Sequence, residues 1–303
     1  MDATPTALLK LLLPKTPFLL KTAALHSLNF SPTSSKWDLK TELTVHTLRN
    51  MLGPDSKTSS ITAAQKLTTK DPGIKGPMWV SKVSVGLEGR GDASRQAVLD
   101  AVSSMSSSSG TETWTEPEAR VLEAEWTGYR KDATPKTRSP TDLSEAQLYA
   151  NLMQDTTSEV TILYFHGGAM YLLDPATYRP TAARLARQTG GRVFNVRYRL
   201  APQNPFPAAL LDAFTSYLAL LYPPPGAPHT PVPANEIVFS GDSAGGMLCA
   251  SLLQLLLQLH RSSANGSVPT TEWYGKEVAV PLPAGLALTS PWLDVSRALP
   301  SIE

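Results

Sequence analysis

Hydrophobic and polar positions follow two rhythms along the chain. From residue 160 onward, short continuous apolar runs alternate with longer stretches of helical period. The runs are VTILYF (160–165), RVFNV (192–196), EIVFS (236–240) and AGLALTS (284–290). Between them lie ATYRPTAARLARQTGG, closed by a glycine pair, then AALLDAFTSYLALL, then GMLCASLLQLLLQLH. Strands this uniformly apolar are buried on both faces, so the alternation predicts a parallel sheet covered by helices on both sides. The last helix, apolar almost all round, is too short to cross a bilayer and is expected to lie buried against the sheet.

Before residue 160 the pattern is weaker. Period-2 alternation predicts strands at WVSKVSV (79–85) and VLEAEW (121–126), where Leu122, Ala124 and Trp126 alternate with acids. SSMSSSSG, within 103–112, reads as a flexible connector, and KDATPKTRSPTD (131–142) reads as a loop. SKWDLKTELTVHTLRNML (35–52) predicts a helix opening at Ser35 with Asp38 three places on, its apolar stripe being Trp37, Val45, Leu48, Met51 and Leu52. The expected division is an N-terminal helical region over 1–74 and a core over 75–303.

Composition excludes some classes. With 27 basic against 26 acidic residues, the formal net charge is +1, so no field draws a polyanion and nucleic acid is not an expected partner. One cysteine, Cys249, leaves no internal disulfide. Asp2 stands where a signal peptide carries basic residues, and Pro14 and Pro17 split the apolar start into ALLKLLL and FLL, too short to span a bilayer. The expected location is cytoplasmic or peripheral to an intracellular membrane, any membrane contact running through the N-terminal segment.

Candidate chemistry centres on EIVFSGDSAGG (236–246). Gly241-Asp242-Ser243-Ala244-Gly245 fits G-x-S-x-G between a predicted strand and helix, where a sharp turn presents the serine hydroxyl above the sheet edge. The duller alternative is that Ser243 only caps the helix. Tyr164-Phe165-His166-Gly167-Gly168-Ala169 shifts the balance, because small residues leaving an earlier strand bring backbone N–H groups to an anion, as an oxyanion hole requires.

HGGA (166–169), YRLAPQNPFPAAL (198–210), GDSAGG (241–246) and SPWLDVS (290–296), in this order, resemble the hormone-sensitive lipase-like branch of the α/β-hydrolase fold, over about residues 155–297. The N-terminal helical region resembles that of fungal members. The resemblance implies a mostly parallel α/β-hydrolase sheet flanked by helices, with an N-terminal helical cap region and the last strands missing. It implies Ser243 as nucleophile and an oxyanion hole drawing on Gly167, Gly168, Ala169 and Ala244, with Gly167 supporting the turn. Ala169 stands where the family commonly has a third glycine, and Gln203 where it has a glutamate. His166 is expected to brace the loop, and Asp294 to be a structural aspartate. Asp242 is not expected to reach round to orient a base.

In this fold the triad order is Ser, acid, His. After Ser243 the sequence offers His260 and then Glu272, Glu277, Asp294 and Glu303, with no histidine beyond them. The triad acid and histidine are therefore absent from residues 1–303, and the expectation is a C-terminally truncated chain. The implied reaction is hydrolysis of small apolar or acetylated esters through an acyl-enzyme, without metal or organic cofactor, at a poor rate in the chain as written. The alternative is a catalytically dead hormone-sensitive-lipase-like binding protein or receptor.

Overall fold

The computed structural model describes residues 13–52, 60–106, 113–263 and 266–294. Contacts divide the chain into two compact units, Met1–Leu67 and Thr68–Glu303.

The first unit is helical. Helices α1 (Thr16–Ser27) and α2 (Leu39–Leu52) pack on each other, and α3 (Ile61–Thr68) runs to the boundary. Pro17 in the first turn of α1 suits a position whose N–H has no helical partner. The buried Glu42 on α2 ties the pair, accepting from His26 Nδ1 of α1 at 2.6 Å and from the Ser31 hydroxyl of the connecting loop. The predicted helix start at Ser35 is corrected. Residues 32–36 form turns, and the helix begins at Leu39 because the Asp38 carboxylate accepts the Thr41 amide at 2.6 Å. Of the predicted stripe, Trp37 and Val45 are half-buried, while the side chains of Leu48, Met51 and Leu52 lie outside the described residues. FLL falls within α1, and ALLKLLL lies outside the described residues apart from Leu13.

Among the described residues, the main sheet of the second unit has six strands in the order β1-β2-β4-β3-β5-β8: β1 Met78–Val85, β2 Leu122–Tyr129, β3 Thr161–Phe165, β4 Arg192–Arg197, β5 Ile237–Asp242 and β8 Gly285–Thr289. β1 and β2 run antiparallel, β2 also pairs antiparallel with β4, and the β4-β3-β5-β8 half is parallel. β3 is buried along its whole length and β4 nearly so, as continuous apolar runs require. Five helices accompany the sheet: α4 Ala93–Met105, α5 Glu145–Asp155, α6 Pro175–Thr189, α7 Ala208–Leu221 and α8 Ala244–Ser262. α7 is buried nearly all round. α8 is buried on one face only, through Leu248, Cys249, Leu252, Leu255 and Leu256, and not on every side as its composition suggested. No described helix is long and apolar enough to cross a membrane.

Three elements depart from the sequence expectation. Residues Ala93–Met105 form α4, so the serine-rich connector begins later than 103, and residues 107–112 of it lie outside the described residues. Helix α5 starts at a capping box in which Ser144 and Gln147 exchange hydrogen bonds. A separate hairpin of β6 (Thr270–Trp273) and β7 (Lys276–Ala279) turns through Tyr274 and Gly275, both at positive φ.

An ion cluster, buried at Arg179 and Glu125 and exposed at Asp71, ties the antiparallel half of the sheet to α6. Alternation placed Glu125 with the solvent-facing acids of β2, yet it is 2% exposed. Arg179 of α6 covers it, its Nε donating to Glu125 Oε2 at 2.7 Å and its Nη2 to Oε1 at 2.5 Å. The same guanidinium donates to both oxygens of Asp71, at 2.6 and 3.0 Å. The hydrogen bonds from Arg179 lower the Asp71 carboxyl from its ordinary value to about 2. Removing the arginine would strand a buried carboxylate, so Arg179→Ala is expected to lower unfolding free energy by about 3–5 kcal/mol in urea titrations. Because the folded pKa of Asp71 is depressed, its contribution is complete above the unfolded value of about 4. It is lost as pH falls towards 2, so Asp71→Asn is expected to flatten the stability loss across that window.

Candidate functional site

Strand β5 ends at Asp242 and α8 begins at Ala244, so a single residue, Ser243, makes the whole change of direction. It does so at φ 50 and ψ −119, a conformation that L-residues avoid. Its side chain is exposed and makes no capping hydrogen bond, which removes the simple helix-cap reading. The turn is pinned through its backbone. The Ser243 amide donates to the Thr289 carbonyl at 3.1 Å, and the Ser243 carbonyl accepts from the Trp292 amide at 2.9 Å and the Met247 amide at 3.1 Å. The described part of SPWLDVS, residues 290–294, thus braces the serine turn, and the Trp292 indole closes the brace on the Asp294 carbonyl at 2.9 Å.

The loop after β3 lies directly against this turn. Phe165 pairs with Gly241 in the parallel register. A Cβ on Gly245 would sit 2.0 Å from the Phe165 carbonyl oxygen and 2.6 Å from that of His166, so no side chain fits there. The loop then runs through three successive positive φ values, at Gly168 (109), Ala169 (52) and Met170 (65). Ala169 therefore occupies a left-handed position that favours glycine, and its departure from the family pattern carries some strain. The Gly168 carbonyl accepts from the Tyr171 and Leu172 amides at 3.0 and 2.9 Å, while the Gly168 and Ala169 amides have no partner among the described residues. Ala244, first residue of α8, presents its amide at the helix N-terminus, where the dipole favours negative charge.

Gly167 is placed differently. Its amide donates to Asp242 Oδ1 at 3.0 Å and is therefore committed to supporting the turn. Asp242 also accepts from the Tyr164 hydroxyl and the Tyr178 hydroxyl, each at 2.9 Å. Burial, followed by the Asp242 charge, raises both phenols well above their ordinary range, so they remain protonated donors. Among the described residues, the hydrogen bonds of Asp242 go to Tyr164, Gly167 and Tyr178 and to no histidine. Its role as the clamp between the serine turn and the glycine loop is not legible in the sequence, because the donors come from β3 and α6, distant in sequence.

His166 is 1% exposed and donates from Nδ1 to the Gly167 carbonyl at 2.7 Å. It stacks on Tyr198 at 4.4 Å between ring centroids, and the Tyr198 hydroxyl donates to the His166 carbonyl at 2.7 Å. Burial lowers its pKa, which leaves a neutral ring held inside the loop. The YRLAP segment braces the loop as well, the Ala201 amide donating to the Met170 carbonyl at 2.9 Å. Its own anchor is Arg199, whose backbone amide and guanidinium both bind Asp212 of α7, while Gln203 is exposed.

The remaining histidines are engaged elsewhere. His229 is buried beside Trp126, its Nε2 3.1 Å from the Ala219 carbonyl, and burial lowers its pKa to about 4. His260 lies 2.9 Å from the Val280 carbonyl, and His26 and His46 flank Glu42. Cys249 is a core residue whose thiol burial pushes well above its ordinary value. Among the described residues, no cluster of His, Cys, Asp and Glu could hold a metal.

Residues 162–303 match a protein family described as alpha/beta hydrolase fold. An acetyl-hydrolase of Streptomyces hygroscopicus is 33% identical over 136 residues, 45% of this chain and 37% of that protein. An esterase of Acinetobacter venetianus is 33% identical over 142 residues, covering 47% and 38%. Among solved structures, a hormone-sensitive lipase from a metagenome library aligns with a TM-score of 0.45 at 22% identity, covering 86% of this chain and 59% of that one. The matched stretch spans less than two fifths of the length of these two curated relatives. Over residues 162–303 this chain is thus similar to proteins of the alpha/beta hydrolase fold, among them proteins named acetyl-hydrolase, esterase and lipase.

Proposed function

We propose that this domain is built for acyl transfer from small apolar or acetylated carboxylic esters, with Ser243 as the acylated group. The observation that carries this reading is the exposed Ser243 hydroxyl, on a strained one-residue turn that uses it for no structural bond. Strain at a residue whose side chain stabilises nothing locally is a mark of function. In the proposed step the hydroxyl oxygen attacks the ester carbonyl and the hydroxyl proton passes to a base. The carbonyl oxygen takes up the negative charge beside the amides of Gly168, Ala169 and Ala244; as the carbonyl re-forms, the ester C–O bond breaks, the base returns the proton to the departing oxygen and the alcohol leaves, with the acyl group on Ser243. Gly167 serves as scaffold, because its N–H already binds Asp242. The step needs neither metal nor organic cofactor.

The relatives' names favour this class: acetyl-hydrolase, lipase and esterase. The five histidines of the chain favour a second reading alongside it. His166, His229 and His260 bind carbonyls, and His26 and His46 flank a carboxylate, so none is placed as a base at Ser243. A protein that binds an ester-like ligand without turning it over fits that arrangement.

Incubation with an active-site fluorophosphonate separates the two. Covalent labelling that Ser243→Ala abolishes is the outcome expected of the nucleophile, whereas ligand binding with no labelling would establish the binding protein. On p-nitrophenyl acetate, residues 1–303 are expected to turn over several orders of magnitude more slowly than an enzyme with a complete triad. Asp242→Asn keeps the shape but presents an amide nitrogen where one of the phenols donates. It is expected to slow labelling about tenfold, the equivalent of one lost hydrogen bond to a charged group, and to raise amide hydrogen exchange across 166–172.

A further inference from the structure

Helix α1 turns an apolar stripe outward. At 100° per residue Pro17, Leu20, Ala24 and Leu28 fall on one side, and all four are exposed, Leu20 at 65% and Leu28, the C-cap, at 63%. The opposite side, which packs on α2, includes polar groups. Thr22 is 7% exposed with its hydroxyl donating to the Phe18 carbonyl at 3.0 Å, and His26 binds the buried Glu42. The turn after the helix adds Phe30, 74% exposed, its amide donating to the Leu25 carbonyl at 2.9 Å. Burial within the fold is the usual fate of such a stripe, so its outward direction calls for another apolar medium.

The charge of this stretch is one-sided. From Leu13 to Trp37 the sequence carries Lys15, Lys21 and Lys36 and no acid, although the chain as a whole is only +1. Lys15 is held by Asn50, while Lys21 and Lys36 are exposed, Lys21 at the edge of the stripe. The preceding run in the sequence, ALLKLLL (7–13), repeats the chemistry of leucines with a lysine. Leucine and phenylalanine edged by lysine match the boundary between headgroups and acyl chains of an anionic bilayer. A second copy of the chain would bring more lysines to the contact and no acid to meet them. At 12 residues, about 18 Å, α1 is too short to cross the bilayer and is suited to lying in its plane.

We propose that the outward face of α1 docks this protein on an anionic lipid surface, with Leu20, Leu28 and Phe30 inserted among the acyl chains and Lys21 against the headgroups. The docking face is separate from the serine turn and does not depend on Ser243 being acylated. Burying one leucine or phenylalanine side chain is worth about tenfold or more in partitioning, and one lysine near the anionic surface about fivefold.

Cosedimentation of the full chain with lipid vesicles tests it. Vesicles of phosphatidylserine and phosphatidylcholine in equal parts are expected to bind the protein at least about fivefold more strongly than phosphatidylcholine alone, and added salt is expected to narrow that difference. Leu20→Glu and Phe30→Glu are each expected to weaken binding about tenfold or more, and Lys21→Glu about fivefold or more. All three positions are exposed, so circular dichroism is expected to stay unchanged. Val268→Glu, at an exposed apolar position of the second unit, is expected to leave vesicle binding as it was. Absence of binding to either vesicle, or binding that Leu20→Glu and Phe30→Glu leave intact, would overturn the proposal. So would a dimer in light scattering that Leu20→Glu dissolves in a protein that no vesicle sediments, which would give the face to a second copy.

Discussion

The structure around the site depends on one backbone contact. The first turn of α8 meets the end of β3 so closely that Gly245 has the Phe165 carbonyl where its side chain would be, and a Cβ on Gly241 would come within 2.6 Å of the Phe165 carbonyl oxygen and of the Gly245 backbone. With both flanks held to glycine, β5 and α8 approach within a single intervening residue, and Ser243 has to absorb the turn. A non-glycine residue in such a conformation costs on the order of 1–3 kcal/mol. Backbone bonds from Thr289 and Trp292 offset that strain, which ties the serine to the strand added at the sheet edge, β8.

A second layer of constraint is ionic. Around the C-terminal edge of the parallel strands carboxylates satisfy donors of the surrounding loops, Asp174 and Asp212 from buried positions and Asp242 from a half-buried one. Asp242 collects an amide and two phenols. Asp174 caps α6 through the Ala176 amide and binds Arg197, and Asp212 binds Arg199 and Arg120. Each carboxylate has several donors, which makes its burial tolerable. The consequence for the site is rigidity: the glycine loop is fixed by Asp242 on one side and by His166, Tyr198 and Ala201 on the other, so its free amides hold their direction without a ligand.

Legibility followed the physical nature of each signal. The sheet was readable because its strands are uniformly apolar, and α7 was readable from AALLDAFTSYLALL with both ends placed correctly, since a long apolar helix flanked by prolines has few alternatives. Helix α4 was missed although Val98, Ala101, Val102 and Met105 carry the helical spacing, because the serines after it dominated the stretch. The α5 capping box was equally visible in Ser144 and Gln147. Within the site, the serine turn and glycine loop could be found from spacing alone. The clamp could not, since the partners of Asp242 lie 64, 75 and 78 residues away. Glu125 shows the same limit: alternation assigns a face, but only the distant Arg179 makes that face an interior.

The histidines show why the proposed oxyanion hole and a base are separate requirements. The proposed oxyanion hole would consist of backbone geometry, and the contacts between β3, β5 and α8 hold that backbone in place. A base must be a titratable ring with a free nitrogen facing the hydroxyl, and burial works against that inside this core. His166 is the nearest in sequence to the loop, yet its Nδ1–H is held by the Gly167 carbonyl and burial keeps the ring neutral. Rotating it towards Ser243 would break that bond and its stacking on Tyr198, and would release the loop whose amides the proposed reaction would use. The brace and the base are therefore incompatible roles for one ring, and His166 is committed to the first.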